Sequence, residues 1–314
     1  MSPTHSQTAG VPEERLTLRQ GDEHLPQAFY LAGQGLPGAS PLVLDSPHSW
    51  RDWPSSGTSP QAPAEALWTG WDAWVDELWA TAAQGRAPVL AARFQRAFID
   101  ANRARDDIDA SLLARPWPEP LAPSAACGRG MGLIRRLVLP GVPLYAQPLS
   151  VEEVRARITG YYDPYHQALE GLIGSAHAAF GLCVHIDCHS MKSVGNGMNI
   201  DAGKARPDMV VSNLAGRTSD PFLLRWVVQH LSSLGYRVQA NHPYQGAELV
   251  RRHGRPADGR HSLQIEINRA LYMNEAKFER HDGFDRLARD LGTLVAALDD
   301  GLRLSLYPAK ENSK

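Results

Sequence analysis

The sequence predicts an α/β fold with helices on both faces of a central sheet. Short apolar segments typical of buried strands recur along the chain, and segments with helical periodicity separate them. A helix that connects two strands packs back onto the sheet, so alternating strands and helices cover both faces. At 314 residues the chain is long enough to bury a large core. We expect a flexible polar segment over residues 1–25 and a single domain over residues 26–310.

Each element is predicted from a local pattern. In the segment 64–84, Leu67, Trp71 and Val75 recur at four-residue spacing, which is typical of one face of a helix. Strict alternation of apolar and polar residues over 263–268 predicts a strand with one polar face. By these criteria the predicted strands are 41–45, a stretch within 88–100, 181–187, 236–240 and 263–268. The predicted helices are 64–84, 151–180 with a break near residue 163, 221–234 and 284–302. The stretch 104–142 is predicted to be irregular.

Composition excludes several classes of function. The net charge of −2 creates no field that would attract nucleic acid or an anionic membrane. No apolar run approaches the ~20 residues that a membrane-spanning helix needs, and the first ten residues lack the apolar core of a signal peptide. The three cysteines, an odd number, favour a reducing compartment over a disulfide framework. We therefore expect a cytoplasmic protein that acts on a small molecule.

Two predicted strands end in a histidine turn. His48 follows the strand 41–45, and His189 follows the strand 181–187. Ligands of α/β sheets bind beyond the carboxyl ends of the strands, and catalytic zinc takes neutral imidazoles together with a carboxylate. A histidine in such a turn can equally be held by hydrogen bonds alone. We predict one divalent metal ion, with zinc preferred, although iron, cobalt and manganese accept the same ligands.

Carboxylates complete the predicted chemistry. Asp72 and Asp76 are one turn apart in the helix predicted for 64–84, so they should share a face, and either could be the third ligand. Glu266 lies on a core-like strand, where a carboxylate is costly unless it is paired or functional. As a general base, Glu266 would take a proton from a metal-activated water and then protonate the leaving amine. A salt bridge to Arg269 or to another arginine is the alternative interpretation.

An arginine motif indicates an anionic substrate. Asn102 and Arg103 follow the strand predicted within 88–100, and a guanidinium matches the planar geometry of a carboxylate. Asp100 could orient Arg103, although a surface ion pair would explain the same residues.

The motifs, taken in order, resemble those of the N-formylglutamate amidohydrolase (N-formylglutamate deformylase) family. The resemblance covers about residues 40–275, and the order and spacing of the motifs carry it. These motifs are Ser46-Pro47-His48-Ser49, Asp72, Ile99-Asp100-Ala101-Asn102-Arg103, Asp163-Pro164-Tyr165-His166, Asp187-Cys188-His189-Ser190-Met191, Asn241 with Gly246, Gly254-Arg255-Pro256-Ala257-Asp258-Gly259, Gln264-Ile265-Glu266 and Leu271-Tyr272-Met273.

The resemblance implies a fold, a reaction and a set of roles. The fold would be similar to that of zinc carboxypeptidases, with a mixed, mainly parallel, twisted sheet. The reaction would release formate from N-formyl-L-glutamate, a late step of histidine degradation. The implied roles are metal ligation for His48, Asp72 and His189, general base catalysis for Glu266, and substrate binding for Arg96, Asn102, Arg103 and Asn241.

Three segments depart from the family pattern. They are Trp50, the stretch 134–136 and the stretch 195–199, and we expect these loops to line the substrate pocket. They leave open another N-acyl amino acid or small amide as the substrate. A carboxypeptidase, a cell-wall amidase and a non-catalytic binding protein with the same fold are the alternative functions.

Overall fold

A seven-stranded sheet forms the centre of the computed structural model, which describes residues 28–306. The segment predicted to be flexible, residues 1–25, lies outside the described residues. The strands are β1 (Phe29–Ala32), β2 (Leu42–Ser46), β3 (Val89–Ala92), β4 (Leu137–Leu139), β5 (Val142–Pro143), β6 (Cys183–Met191), β7 (Met209–Ser212), β8 (Val238–Ala240), β9 (Arg260–Asn268), β10 (Met273–Asn274) and β11 (Glu279–Arg280).

The helices connect these strands. They are α1 (Ala64–Trp68), α2 (Val75–Ala83), α3 (Ala125–Gly128), α4 (Val151–Arg157), α5 (Asp163–Phe180), α6 (Pro221–Ser233), α7 (Glu248–His253) and α8 (Gly283–Leu306), with 3-10 turns at Ala110–Leu112, Pro256–Asp258 and Arg269–Leu271. A π-helical turn, Ile158–Tyr162, joins α4 to α5 where the sequence predicts a break. No helix within residues 28–306 is both long and apolar enough to cross a bilayer.

The sheet is mixed and mostly parallel, as predicted. Its strand order is β1-β3-β2-β6-β9-β7-β8. The four central strands β3, β2, β6 and β9 run parallel. β1 joins β3 antiparallel, and β7 joins β9 antiparallel with β8 parallel to β7. The carboxyl ends of the four parallel strands therefore meet at one edge.

Apolar side chains on the two faces of the sheet form two cores. Leu42 and Leu44 of β2 pack in the core that contains α2 and α8, whereas Val43 between them packs in the core that contains α5. Successive side chains of a strand point to opposite faces, so one apolar strand contributes to both cores. Helices therefore cover both faces, which confirms the predicted fold class.

The helix predicted over 64–84 is two helices, which corrects one expectation about the site. Residues 69–74 form turns, Trp74 has a left-handed φ of 56°, and the Asp72 N–H donates to the His48 carbonyl at 3.0 Å. A residue with positive φ cannot continue an α-helix. Asp72 therefore precedes α2 and does not share a helical face with Asp76.

Candidate metal centre and catalytic cleft

Four side chains meet at the carboxyl edge of the parallel strands. His48 follows β2, and Asp72 comes from the loop between α1 and α2. His189 lies within β6 rather than in a turn after it, because β6 continues to Met191. Glu266 of β9 is the register partner of His189. Two neighbouring strands and two loops thus bring these groups together.

Three of these side chains form a ligand set that suits a divalent metal ion. The Nδ1 atoms of His48 and His189 are 3.1 Å apart, and Asp72 Oδ2 lies 3.1 Å from Nδ1 of His189 and 3.6 Å from Nδ1 of His48. Ligand atoms around a tetrahedral ion with bonds of about 2.0–2.1 Å are about 3.3 Å apart. All three residues are at most 2% exposed. The spacing and the donor types therefore fit a buried catalytic site.

Buried carboxylates orient both histidines. Nε2 of His48 lies 2.7 Å from Asp100 Oδ1, and Nε2 of His189 lies 2.7 Å from Asp187 Oδ1. A proton on Nε2 of His48, shared with Asp100, leaves the Nδ1 lone pair of His48 free to bind a metal ion. Without a cation, this lone pair, Asp72 Oδ2 and an unprotonated Nδ1 of His189 would repel one another. The donor chemistry therefore favours a cation between them.

A proton can occupy the same position. Burial opposes a positive charge on His189, but Asp187 and Asp72 outweigh it and raise the pKa of His189 well above its ordinary value. A metal ion must displace such a proton, so acid should weaken metal binding.

Arg269 orients Asp72. Its guanidinium donates to Asp72 Oδ1, Ser190 Oγ and the Thr69 carbonyl, each at 3.0 Å. These contacts leave Asp72 Oδ2 facing the histidines. Although burial opposes ionisation, the hydrogen bond with His189 and the nearby His48 and Arg269 hold the pKa of Asp72 well below its usual range.

Asp76, the other candidate ligand, lies in a separate environment. Its carboxylate accepts a hydrogen bond from Tyr30, and burial raises its pKa to about 6. Of the two carboxylates, Asp72 and not Asp76 lies in the group of residues that could hold a metal ion, and ligation by Asp72 stays a prediction.

Glu266 lies beside the ligand set with little to neutralise it. Its Oε1 accepts a hydrogen bond from Gln264 at 3.1 Å, and among residues 28–306 no cationic group is within 4.0 Å. The alternative salt bridge to Arg269 is not formed, because Arg269 binds Asp72. Burial raises the pKa of Glu266 to about 7. A carboxyl group with such a pKa can both accept and donate a proton near neutral pH.

A cleft of about 680 Å³ opens onto these groups and carries a positive charge. Six arginines and Lys192 line it, against two acidic residues, Asp72 and Glu266. Arg96 donates to Asp100 at 2.9 Å, so a carboxylate pairs with its charge. Arg103 instead donates to the Met131 carbonyl at 2.8 Å, and no carboxylate of the described residues pairs with its charge. The surplus of cations suits an anionic ligand.

Asp100 does not orient Arg103, contrary to the sequence-based expectation. It binds His48 and Arg96 instead. Arg96, together with the hydrogen bond to His48, outweighs burial and holds the pKa of Asp100 well below its usual range.

Two predicted substrate-binding asparagines have side chains engaged within the protein. The Asn102 amide nitrogen lies 3.0 Å from Asp187 Oδ2 and from His189 Nε2, and its oxygen accepts the Leu249 N–H. The Asn241 oxygen accepts two backbone N–H groups of the Asn213–Ala215 turn. Both residues line the cleft, and their role in substrate binding stays a prediction.

The loops that depart from the family pattern have different positions. Arg135 and Asn196 line the cleft, as expected. Trp50 does not line it but packs against Tyr30 and under Arg93.

Comparisons with known proteins match this architecture. A sequence model described as N-formylglutamate amidohydrolase matches residues 40–273. N-formylglutamate deformylase of Pseudomonas aeruginosa is 28% identical over 242 residues, which cover 76% of this chain and 84% of the relative. The Pseudomonas putida N-formylglutamate deformylase is 28% identical over 246 residues, with the same coverage of both chains.

A solved structure shows the same fold. The crystal structure of N-formylglutamate amidohydrolase from Ralstonia eutropha JMP134 superposes with a TM-score of 0.81 at 39% identity, covering 88% of this chain and 99% of the other. A protein of Agrobacterium tumefaciens shares the fold at 19% identity, with a TM-score of 0.58 and coverage of 88% of this chain and 96% of the other.

Proposed function

Because this chain belongs to the N-formylglutamate amidohydrolase family, and so is a hydrolase that acts on an amide, we propose that its substrate is N-formyl-L-glutamate. Water cleaves the formyl C–N bond, which yields formate and L-glutamate. The observation that carries the proposal is the convergence of His48, Asp72 and His189 beside Glu266 in a cleft with a surplus of positive charge.

We propose zinc as the cofactor and His48, Asp72 and His189 as its ligands. A bound zinc ion supplies a Lewis acid that polarises the formyl carbonyl and makes a water molecule more acidic. The protein orients the ligands through Asp100 and Arg269, whose contacts fix the atoms that face the ion. Asp187 has the same role toward His189.

Glu266 is the proposed proton carrier. Its carboxylate removes a proton from the attacking water and then delivers a proton to the glutamate nitrogen as the C–N bond breaks. Its only side-chain hydrogen bond among the described residues is from Gln264, so one carboxylate oxygen is free to face the cleft. Arg103 is the proposed partner of a substrate carboxylate, because its charge has no carboxylate neighbour within 4.0 Å in the described part of the chain.

Formate release tests the proposal directly. Purified zinc-loaded protein is incubated with N-formyl-L-glutamate, N-acetyl-L-glutamate or N-formyl-L-leucine, and product is measured by a coupled formate or amine assay. We expect fast turnover of N-formyl-L-glutamate and values of kcat/KM at least tenfold lower for the other two. A preference for either of the other substrates would contradict the proposed substrate.

A further inference from the structure

The Arg135 guanidinium faces the cleft without a hydrogen-bonded carboxylate among the described residues. Its side chain is 10% exposed, and Oδ2 of Asp100, at 4.0 Å, is too distant for a hydrogen bond. The Arg135 Nε is buried without a hydrogen-bond partner in the described chain. Asp100 already binds His48 and Arg96. A buried cation whose nearest carboxylate is shared and too distant for a hydrogen bond is poorly compensated, so a site of this kind favours an anionic ligand.

Other arginines of the cleft have protein partners. Arg269 binds Asp72, and Arg206 binds both carboxylate oxygens of Asp201 at 2.7 and 2.8 Å. Burial together with the nearby charge of Arg96 outweighs the attraction of Asp100 and lowers the pKa of Arg135 to about 9. A guanidinium stays protonated at neutral pH, so its charge remains available to an anion.

The loop that carries Arg135 is held rigidly. The Leu133 carbonyl accepts the Asp100 N–H at 2.8 Å, and the Leu133 N–H donates to the Asp107 carbonyl at 2.7 Å. A Cβ at Gly132 would lie 2.6 Å from the same Asp107 carbonyl, so only glycine allows this approach. Little conformational freedom is lost when a ligand binds a guanidinium on such a loop.

Arg103 and Arg135 lie on two connected segments of the cleft wall. Arg103 Nε donates to the carbonyl of Met131, which forms a β-bridge with Arg135. Neither arginine has a carboxylate at hydrogen-bond distance among the described residues, which is also true of Arg129 and Lys192 in the same cleft, and N-formyl-L-glutamate has two carboxylates that need such partners.

We propose that Arg135 binds the side-chain carboxylate of the substrate, while Arg103 binds the α-carboxylate. Arg135 is then the residue that sets the preference for a dicarboxylic N-formyl amino acid over a neutral one. The inference rests on the proposed function and adds to it the group that recognises the substrate side chain.

The test compares N-formyl-L-glutamate with N-formyl-L-glutamine, which lacks only the side-chain charge. Arg135→Met should lower kcat/KM for the glutamate substrate on the order of 100-fold, because charge-assisted hydrogen bonds are lost. The same variant should change kcat/KM for the glutamine substrate less than about fivefold, since the other contacts remain. Arg135→Lys should recover part of the loss, because it keeps the charge without the planar fork.

The neighbouring Arg136 provides a matched control. Its guanidinium binds Asp109 at 2.6 Å, and it does not line the cleft. Arg136→Met should therefore keep the wild-type ratio between the two substrates. An equal loss on both substrates in Arg135→Met, or no loss on either, would overturn the inference.

Binding of glutarate separates this inference from the proposed function. Calorimetry measures the Kd of glutarate, and of butyrate as its monocarboxylate control, for the zinc-loaded wild type, Arg135→Met and Arg135→Lys. If neither formyl substrate turns over, the proposed function fails. Weaker binding of glutarate to Arg135→Met, with binding of butyrate unaffected, would still support the dicarboxylate subsite. Unchanged glutarate binding would refute the subsite. If Arg135→Met does not fold, the same comparison with Arg135→Lys decides.

Discussion

Replacing Asp76 by asparagine tests which of the two carboxylates that the sequence offers, Asp72 or Asp76, is needed for metal binding. Asp76 is 7% exposed and accepts a hydrogen bond from Tyr30, apart from the ligand set of His48, Asp72 and His189. An asparagine at this position would keep an oxygen that accepts this bond but could not ionise. We expect Asp76→Asn to bind metal as the wild type does and to be more stable at neutral pH.

The size of the effect follows from the pKa of Asp76. Burial raises this pKa from 3.8 to about 6 in the folded chain, and a difference of about 2.2 corresponds to about 3 kcal/mol. Between these values the unfolded chain binds fewer protons than the folded chain, so the free energy of unfolding falls as pH rises. Below pH 3.8 the carboxyl is protonated in both states and the penalty vanishes. Asp76→Asn should therefore match the wild type near pH 4 and exceed it by up to about 3 kcal/mol above pH 6.

Urea denaturation at several pH values between about 4 and 8 measures this difference. Both proteins are stripped of metal for the stability measurement, and metal content is measured separately after reloading with zinc. Asp72→Asn is the comparison variant, and we expect it to lose most of the metal. A stability difference that does not change with pH, or loss of metal from Asp76→Asn, would refute the reasoning.

Three further substitutions test the site. Glu266→Gln should keep its zinc but lower kcat by about 10²–10⁴-fold, and a nearly normal rate would exclude the role of Glu266 as base. The control is Glu279→Gln, at an exposed position of β11, which should leave kcat unchanged. Asp100→Asn should weaken zinc binding about 10–100-fold in a chelator competition, because His48 loses its carboxylate partner, and unchanged affinity would show that this contact does not orient the ligand. Arg103→Met should raise KM for N-formyl-L-glutamate but not for its α-amide, and an equal rise for both would contradict carboxylate binding.

The sequence predicts the strands of the site well because each one is marked by a local apolar run. The runs before His48 and His189 and the alternation around Glu266 identify β2, β6 and β9 without reference to the rest of the fold. Parallel strands end at the same edge, so the convergence of these three residues follows from the fold class.

The contacts that orient the ligands are harder to predict, because they join distant segments. Arg269 binds Asp72 across 197 positions, and Asp72 lies outside α2 because residues 69–74 do not form a helix. Asp187 could have been found, since residues two apart on a strand share a face and His189 is two positions later. β7 is not among the strands predicted from the sequence. It has only four residues, and its antiparallel pairing with β9 joins it to a segment more than fifty positions away, so no local pattern indicates it.

The departures of the Arg135 loop and the Trp50 turn from the family pattern have different consequences. Trp50 and the stretch 134–136 both lie in segments without a regular pattern, so the sequence assigns them the same expected role. Packing separates them, because Trp50 finds an aromatic and a cationic partner on the far side of the turn while Arg135 projects into the cleft.

A zinc titration of chelator-stripped protein tests the central claim most directly. Formate release from N-formyl-L-glutamate is followed as zinc is added to the wild type and to His189→Ala. We predict that wild-type activity is absent without metal and saturates at about one equivalent, and that His189→Ala stays inactive at the same zinc concentrations. Full activity of the stripped wild type, or wild-type saturation in His189→Ala, would contradict a metal centre formed by His48, Asp72 and His189.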